Sequence, residues 1–175
     1  MFDAIVFSSG DPEGATHTLA TLVEGVVDGL MKRLTIIAHE PSQELEKLGE
    51  AVGCHILATN DPAVMQANLP AAISTDHILA VKAGALLPSG WPQMLRAEFK
   101  QRGMPGTAVA TPFEPETRKE RLKLMFNQVV KGRFTLDHGA LLPRHVFFDG
   151  QYDGNSVKLL GPVQMSRLRV GRIGG

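Results

Sequence analysis

Polar and charged side chains follow the apolar, strand-like runs of this sequence. The first four runs are followed in turn by two serines, by a histidine and a glutamate, by an asparagine and by a lysine. The carboxyl ends of the strands in an α/β sheet meet at one edge, where such proteins bind ligands. We expect the residues that follow these runs to converge on one concave surface at that edge, together with an aspartate later in the chain. They are Ser8, Ser9, His39, Glu40, Asn60, Lys82 and Asp137.

Lys82 has no acidic neighbour in its stretch, ILAVKAGALLPSGW (residues 78–91). An ammonium group is a compact point charge that suits phosphate oxygens. A hydrogen bond to a charged group contributes about 1.5–3 kcal/mol. Lys82 is therefore a candidate contact for a diphosphate, and the alternative is a solvated loop lysine, which is the common state of such residues.

Strand-like runs alternate with helix-like segments as far as residue 111. We expect strands at residues 4–7, 35–38, 55–58, 78–81 and 107–111, and helices that begin at Asp11-Pro12, Ser42, Asp61-Pro62 and Gly90. This order predicts an α/β fold with a mostly parallel central sheet and helices on both faces. The first and fourth runs are uniformly apolar, so we expect both strands to be internal.

The second half of the chain has a different character. A helix is predicted over residues 116–131, and the stretch GALLPRHVFFD predicts a strand followed by a short turn or helix. We expect one domain over residues 1–154. Residues 155–175, which end in SRLRVGRIGG, are expected to form a basic and flexible C-terminal tail.

Composition narrows the class of protein. The 175 residues are 43% hydrophobic, which fits one globular domain, and 18 basic residues balance 18 acidic ones, which gives no electrostatic case for a nucleic-acid partner. The single cysteine, Cys54, excludes an internal disulfide and a cysteine-based zinc site, and its apolar surroundings indicate a buried structural thiol. No segment is long and apolar enough to span a membrane, and the N-terminus lacks a signal-peptide pattern, so we expect a cytoplasmic protein.

Several common catalytic motifs are missing from the sequence. It contains no G-x-G-x-x-G after a strand, no G-x-x-x-x-G-K-[ST] and no G-x-S-x-G. The six histidines have no metal-binding spacing. These absences argue against a dinucleotide fingerprint, a P-loop, an α/β-hydrolase and metal-dependent hydrolysis.

The order of five stretches resembles the family-2 glycosyltransferases, the nucleotide-diphospho-sugar transferases of GT-A fold. The resemblance covers about the first 150 residues. It rests on AIVFSSGDPEGATHTLATLV, LTIIAHEPS, TNDPAVMQANLPAAIS, ILAVKAGALLPSGW and GRFTLDHGALLPRHVFFDGQYD.

The resemblance also shows where this chain departs from the family. The family's second strand ends in two acids, where this chain has His39 and Glu40. Its Asp-x-Asp motif, which is followed by a proline and Gly-Trp, is replaced by Lys82 and Gly84. A later Gly-Asp-Gln loop corresponds to Asp137 followed by histidine. The pocket residues that the resemblance adds are Gly84, Trp91 and His138.

The resemblance implies that the chain binds a nucleotide or nucleotide sugar at the strand ends. Asp137 would be the base that takes the acceptor proton. In the family a divalent cation, Mn²⁺ or Mg²⁺, neutralises the leaving diphosphate, but its ligand motif is missing here and no metal ligand is assigned. The implied function is therefore sugar transfer without the usual metal motif.

Two alternatives stay open at this point. The first is a degenerate member of the glycosyltransferase fold that serves as a binding or scaffolding module. The second is a nucleotidyltransferase, which shares the sheet but requires Arg and Lys in the glycine-rich turn after the first strand. The corresponding stretch, SSGDPEGATH, has neither. Hydrolysis of a nucleotide sugar would suit an enzyme that lacks an acceptor site.

Overall fold

The computed structural model describes residues 1–40, 42–59, 61–103, 109–110, 113–115, 117–119, 122–123, 133–152, 156–158, 165–166 and 171–173. The helices are α1 (Pro12–Val27), α2 (Gln43–Val52), α3 (Pro62–Ala72), α4 (Trp91–Arg102) and α5 (Arg144–Asp149), with a 3₁₀ turn at Leu136–His138. The strands are β1 (Phe2–Ser8), β2 (Met31–Ala38), β3 (His55–Ala58), β4 (His77–Lys82), β5 (Val109–Ala110), β6 (Phe113–Pro115), β7 (Arg133–Thr135), β8 (Ala140–Pro143), β9 (Gln151–Tyr152), β10 (Ser156–Lys158), β11 (Met165–Ser166) and β12 (Gly171–Ile173).

Seven strands form the main sheet, in the order β11-β5-β8-β4-β1-β2-β3. Parallel pairing joins β1 to β2 and β4, β2 to β3, and β5 to β11. Strand β8 runs antiparallel to both of its neighbours, β4 and β5. The first and fourth strands are internal, so the predictions of internal strands and of a mostly parallel sheet are confirmed.

Each face of β1 packs into a different part of the core. Phe2, Ala4 and Val6 lie in one cluster with residues of α1 and α4, while Ile5 and Phe7 lie in another with residues of α3 and α5. All seven residues of β1 are buried. Helices therefore cover both faces of the sheet, as predicted.

Side-chain caps begin three of the helices at the predicted positions. Asp11 Oδ1 accepts a hydrogen bond from Gly14 N at 3.0 Å, and Asp61 Oδ1 accepts one from Ala63 N at 2.8 Å. Ser42 Oγ accepts one from the backbone N–H of Glu44. The sequence could predict these helix starts because a capping residue and the backbone N–H group that it accepts from are two or three residues apart.

Other predictions on the second half have mixed outcomes. The strand and short helix within GALLPRHVFFD are confirmed as β8 and α5. The helix predicted over 116–131 lies mostly outside the described residues. In the segment 155–175, the described residues pair with other parts of the chain: β10 with β7 and β9, β11 with β5, and β12 with β6. The domain boundary at residue 154 stays a prediction.

A buried carboxylate fixes the loop that leads into β4. Asp3 is 1% exposed, and its Oδ2 atom accepts hydrogen bonds from the backbone N–H groups of Ser74 and Thr75. Thr75 Oγ1 in turn accepts one from Asp3 N at 2.8 Å. These bonds tie the start of β1 to the residues before β4, the strand that ends at Lys82.

We expect Asp3→Ala to lower the free energy of unfolding by about 2–3 kcal/mol, because two backbone donors lose a charged acceptor. Urea unfolding followed by circular dichroism measures the change. Asp3→Asn, which keeps an acceptor oxygen of the same shape, is the matched control and should lose less. An alanine variant as stable as the native protein would contradict this account.

Candidate functional site

The carboxyl ends of the parallel strands meet along one edge of the sheet. Ser8 at the end of β1 pairs in register with Ala38 at the end of β2, which pairs with Ala58 at the end of β3. On the other side of β1, Phe7 pairs with Lys82. The residues that follow the four strands are therefore neighbours in space.

The turn between β1 and α1 is held by its own polar groups. The Ser8 side chain is buried, and its Oγ atom accepts a hydrogen bond from Gly10 N at 3.3 Å. His39 N donates to the backbone oxygen of Ser8 at 3.2 Å, which joins this turn to the end of β2. Ser8 thus organises the turn, while Ser9 is exposed beside it.

A second set of bonds joins the start of α1 to the loop after β4. Gly84 N donates to the backbone oxygen of Gly14 and to Thr18 Oγ1, both at 2.9 Å. Gly84 has φ +92°, a conformation that favours glycine. A Cβ atom on Gly14 would lie 3.2 Å from Gly84 N, so the two backbones approach closely. The loop that carries Lys82 and Gly84 is therefore fixed against α1.

Lys82 and Asp137 form an ion pair at this edge. The distance from Lys82 Nζ to Asp137 Oδ1 is 3.8 Å, and the side chains are 36% and 55% exposed. Lys82 has no acidic neighbour in sequence, but the fold supplies Asp137 as its acidic neighbour in space. The antiparallel direction of β8 explains the contact, because Ala140 pairs with Ala80 and so places the preceding 3₁₀ turn at the carboxyl end of β4.

The ion pair is loose. Its N–O separation exceeds that of a hydrogen bond, and exposed pairs of this kind contribute only about 0–1 kcal/mol to stability because water screens them. Both charges also remain accessible from solvent. A more highly charged anion could therefore displace Asp137 from Lys82 at little cost.

The remaining predicted residues have different surroundings. His39 and His138 are half-buried, Glu40 and Gly84 are exposed, and Asn60 lies outside the described residues. A Cβ atom on Gly10 would lie 3.8 Å from the Cβ of Glu40, so the loops after β1 and β2 are adjacent. Their roles toward a ligand stay predictions.

Trp91 is placed in the core and presents no surface to a ligand. Its exposure is 0%, and its ring packs against Phe2 and edge-on against Phe113. Its Nε1 group donates to the backbone oxygen of Thr21 in α1 at 2.9 Å. The indole thereby joins α4 to α1, which is the packing interpretation of an aromatic residue at a helix start.

Sequence reasoning missed Thr18 as a residue that positions the site. Thr18 is 0% exposed, and its Oγ1 atom donates to the backbone oxygen of Ala85 at 3.0 Å while it accepts from Gly84. One feature of the sequence could have identified Thr18: it is a hydroxyl residue on the buried side of an amphipathic helix, one position before Leu19. Such a residue requires a polar partner.

Two negative findings apply to the described part of the chain. It holds no group of three or more His, Cys, Asp or Glu side chains that could bind a metal ion. It also holds no helix with the length and apolar character that crossing a membrane requires.

We expect Gly25→Ala to destabilise the protein, although alanine normally favours a helix. A Cβ atom at Gly25 would lie 2.5 Å from the Trp91 ring, and overpacking of this kind costs about 1–3 kcal/mol. Trp91→Phe removes the indole atoms that the new Cβ would contact too closely. Chemical unfolding of the two single variants and the double variant measures the coupling. An equal effect of Gly25→Ala in both backgrounds would show that the contact does not limit packing.

Comparison with known proteins shows the fold. The sequence matches no protein-family model and no curated protein. The crystal structure of Mycobacterium tuberculosis glucosyl-3-phosphoglycerate synthase is similar, with a TM-score of 0.62, 14% identity, and coverage of 99% of this chain and 72% of that chain. The same enzyme with Mn²⁺ and uridine-diphosphate-glucose has a TM-score of 0.52 at 14% identity, over 83% of this chain and 57% of that chain.

A third similar structure is the mannosyltransferase PcManGT from Pyrobaculum calidifontis in complex with GDP-Man and Mn²⁺. Its TM-score is 0.60 at 10% identity, and the match covers 98% of this chain. This chain spans 58% of that protein's length. The chain therefore has the Rossmann-like α/β fold of the GT-A glycosyltransferases.

Proposed function

We propose that the chain binds a nucleoside diphosphate or nucleotide sugar at the carboxyl ends of β1 to β4 and transfers the sugar without a metal ion. The observation that carries the proposal is the ion pair of Lys82 and Asp137, 3.8 Å apart and open to solvent. A cation and a carboxylate are thus present together at the edge where this fold presents ligands. Family-2 membership and a cytoplasmic location are parts of the same proposal.

The diphosphate would bind by exchange of partners. Lys82 is held by one carboxylate at a distance longer than a hydrogen bond, whereas phosphate oxygens form short charge-assisted bonds to an ammonium group. A diphosphate that takes Lys82 leaves Asp137 without its cation. Ligand binding would therefore supply both the phosphate contact and a free carboxylate.

The residues at this place do not fit a divalent cation. The two similar glycosyltransferase complexes contain Mn²⁺. Here Lys82 and Gly84 stand where the resemblance places the metal-binding aspartates, and an ammonium group repels a cation. Asp137, the carboxylate that faces Lys82, is already paired with it. Lys82 would instead bring its own positive charge to the diphosphate.

The proposed transfer follows from these two groups. Asp137 takes the proton from an acceptor hydroxyl, and the acceptor oxygen forms a bond to the anomeric carbon of the sugar. The bond from that carbon to the diphosphate breaks, and the diphosphate leaves with the electron pair. Lys82 stabilises the leaving oxygens, but one positive charge stabilises them less than a divalent ion, so we expect slow turnover.

Other predicted residues complete the proposed pocket. Ser9 and Glu40, which are exposed, and His39, which is half-buried, would contact the nucleotide. Ser8 would act through the turn that it holds, since its hydroxyl is buried. Gly84 would let the ligand approach the backbone, and His138 lies next to the base. Asn60 belongs to the same proposal from its sequence position.

A binding module without catalysis is the second candidate. It is favoured by the same ion pair, because Lys82 and Asp137 neutralise each other without a ligand or an acceptor. In that case the crevice would hold a nucleotide through Lys82 alone. The two candidates differ in whether Asp137 is needed for any chemistry.

We expect UDP or GDP to bind in the presence of a chelator, and Lys82→Ala to weaken that binding at least about tenfold, or 1.4 kcal/mol. Isothermal titration calorimetry measures both. Lys100→Ala, which removes an exposed lysine from α4, is the matched control and should bind as the native protein does. Absence of binding to any nucleoside diphosphate, or binding indifferent to Lys82, would reject the proposal.

We expect Asp137→Asn to abolish sugar transfer and to leave diphosphate binding intact or tighter, because the competing carboxylate is removed. Transfer is measured as release of UDP or GDP from a nucleotide sugar with an acceptor mixture, and binding by calorimetry. Tighter binding with no transfer in either protein would favour the binding module. Loss of binding in the variant would instead assign Asp137 a structural role.

A further inference from the structure

A cavity lies at the amino end of the sheet, away from Lys82 and Asp137. Its volume is about 600 Å³. It is lined by the first residues of β2 and β3 and by the last turns of α1, α2 and α3, and it is open to solvent on one side. The lining residues, which we call the amino-end groove, are Val23, Val26, Lys32, Arg33, Leu34, Thr35, Val52, Gly53, Cys54, His55, Ala71 and Ala72.

The charged side chains of the amino-end groove carry one sign. Lys32 and Arg33 are cationic, and no Asp or Glu is among the lining residues. The chain as a whole has equal numbers of acidic and basic residues, so this segregation is local. This charge favours an anionic ligand.

One of the cations is held in place. Arg33 Nη1 donates to the backbone oxygen of Ala71 at 3.3 Å, near the carboxyl end of α3. A guanidinium group has five N–H donors, so others remain for a ligand. Arg33 is thus oriented at the groove while it stays exposed.

The rest of the groove is apolar and open to water. Val23, Val26 and Val52 are 43%, 48% and 41% exposed, although valine is usually buried in folded proteins. They come from two helices, α1 and α2, and line the groove together. An apolar group laid against them would remove all three from water.

Cys54 adds no negative charge to this surface. Burial raises the pKa of its thiol above the ordinary value of 9.0, so the thiol stays protonated near neutral pH. It is also the chain's single cysteine. Its modification therefore reports on the amino-end groove alone.

We propose that the amino-end groove binds a small amphiphilic anion, a carboxylate attached to an apolar chain. The carboxylate contacts Lys32 and Arg33, and the chain covers the three valines. The volume of about 600 Å³ lies within the range of about 300–1,000 Å³ of ligand pockets, which suits a small molecule. The site is separate from the proposed diphosphate site, because it lies at the opposite ends of the same strands.

Alkylation of Cys54 by iodoacetamide, a small neutral reagent, tests the proposal. The rate is followed by intact mass on the full chain, with octanoate as the probe and 1-octanol as its uncharged counterpart. At about ten times its Kd, octanoate should slow alkylation roughly tenfold by occupying the groove. The same concentration of octanol should protect much less.

Substitution of the two cations should separate charge from hydrophobic contact. Lys32→Gln with Arg33→Gln should raise the half-protecting octanoate concentration at least about tenfold, as expected when a charge-assisted contact is lost. The slight protection by octanol should not change. Lys47→Gln, which removes an exposed lysine of α2 outside the groove, is the matched control. If the double variant does not fold, the exposed Lys32→Gln alone carries the comparison.

Three results would overturn the proposal. Octanoate could fail to slow alkylation, or it could protect no better than octanol and ignore the loss of both cations. Alternatively, protection could follow protein concentration, with light scattering showing a dimer that Val26→Asp dissociates. The last result would make the groove a surface for self-association.

Discussion

The structure depends on the complete burial of β1 between two parallel strands and two layers of helices. A strand in that position must be apolar on both faces, and polar groups are tolerated only at its ends. Asp3 at one end binds the loop before β4, and Ser8 at the other holds the turn into α1. The flanking strands are aligned on this axis, so their carboxyl ends meet at one edge.

The sequence could predict this part of the fold because its signals are local. The four strands, the caps at Asp11, Ser42 and Asp61, and the polar residues that end the strands are each contained within a few neighbouring positions. The start of β2 extends to Met31, earlier than predicted, because its exposed residues Lys32 and Arg33 interrupt the apolar run. Pairing with the fully buried β1, rather than local composition, fixes that boundary.

Long-range packing determines the features of the structure that could not be predicted from the sequence. Strand β8 enters the sheet between β4 and β5, which no local pattern indicates. The direction of β8 brings Asp137 to Lys82. The resemblance predicted that both residues belong to one site, but it could not predict their ion pair, because the pair depends on how β8 enters the sheet. Trp91 is another case: its burial depends on the missing side chain of Gly25, on a helix far away in sequence.

The place of β8 also affects how a growing chain can fold. During synthesis the first four strands and their helices emerge long before residues 140–143, and until then β4 is an unprotected sheet edge. That edge is the buried run Ile78–Val81, the kind of open strand that pairs with other chains and aggregates. The same strand that closes the edge also positions the 3₁₀ turn. A nascent or truncated chain without β8 therefore has an exposed sheet edge and lacks the pairing that brings Asp137 to Lys82. A chaperone that shields β4 during translation would therefore protect the chain until β8 is synthesised and pairs with it.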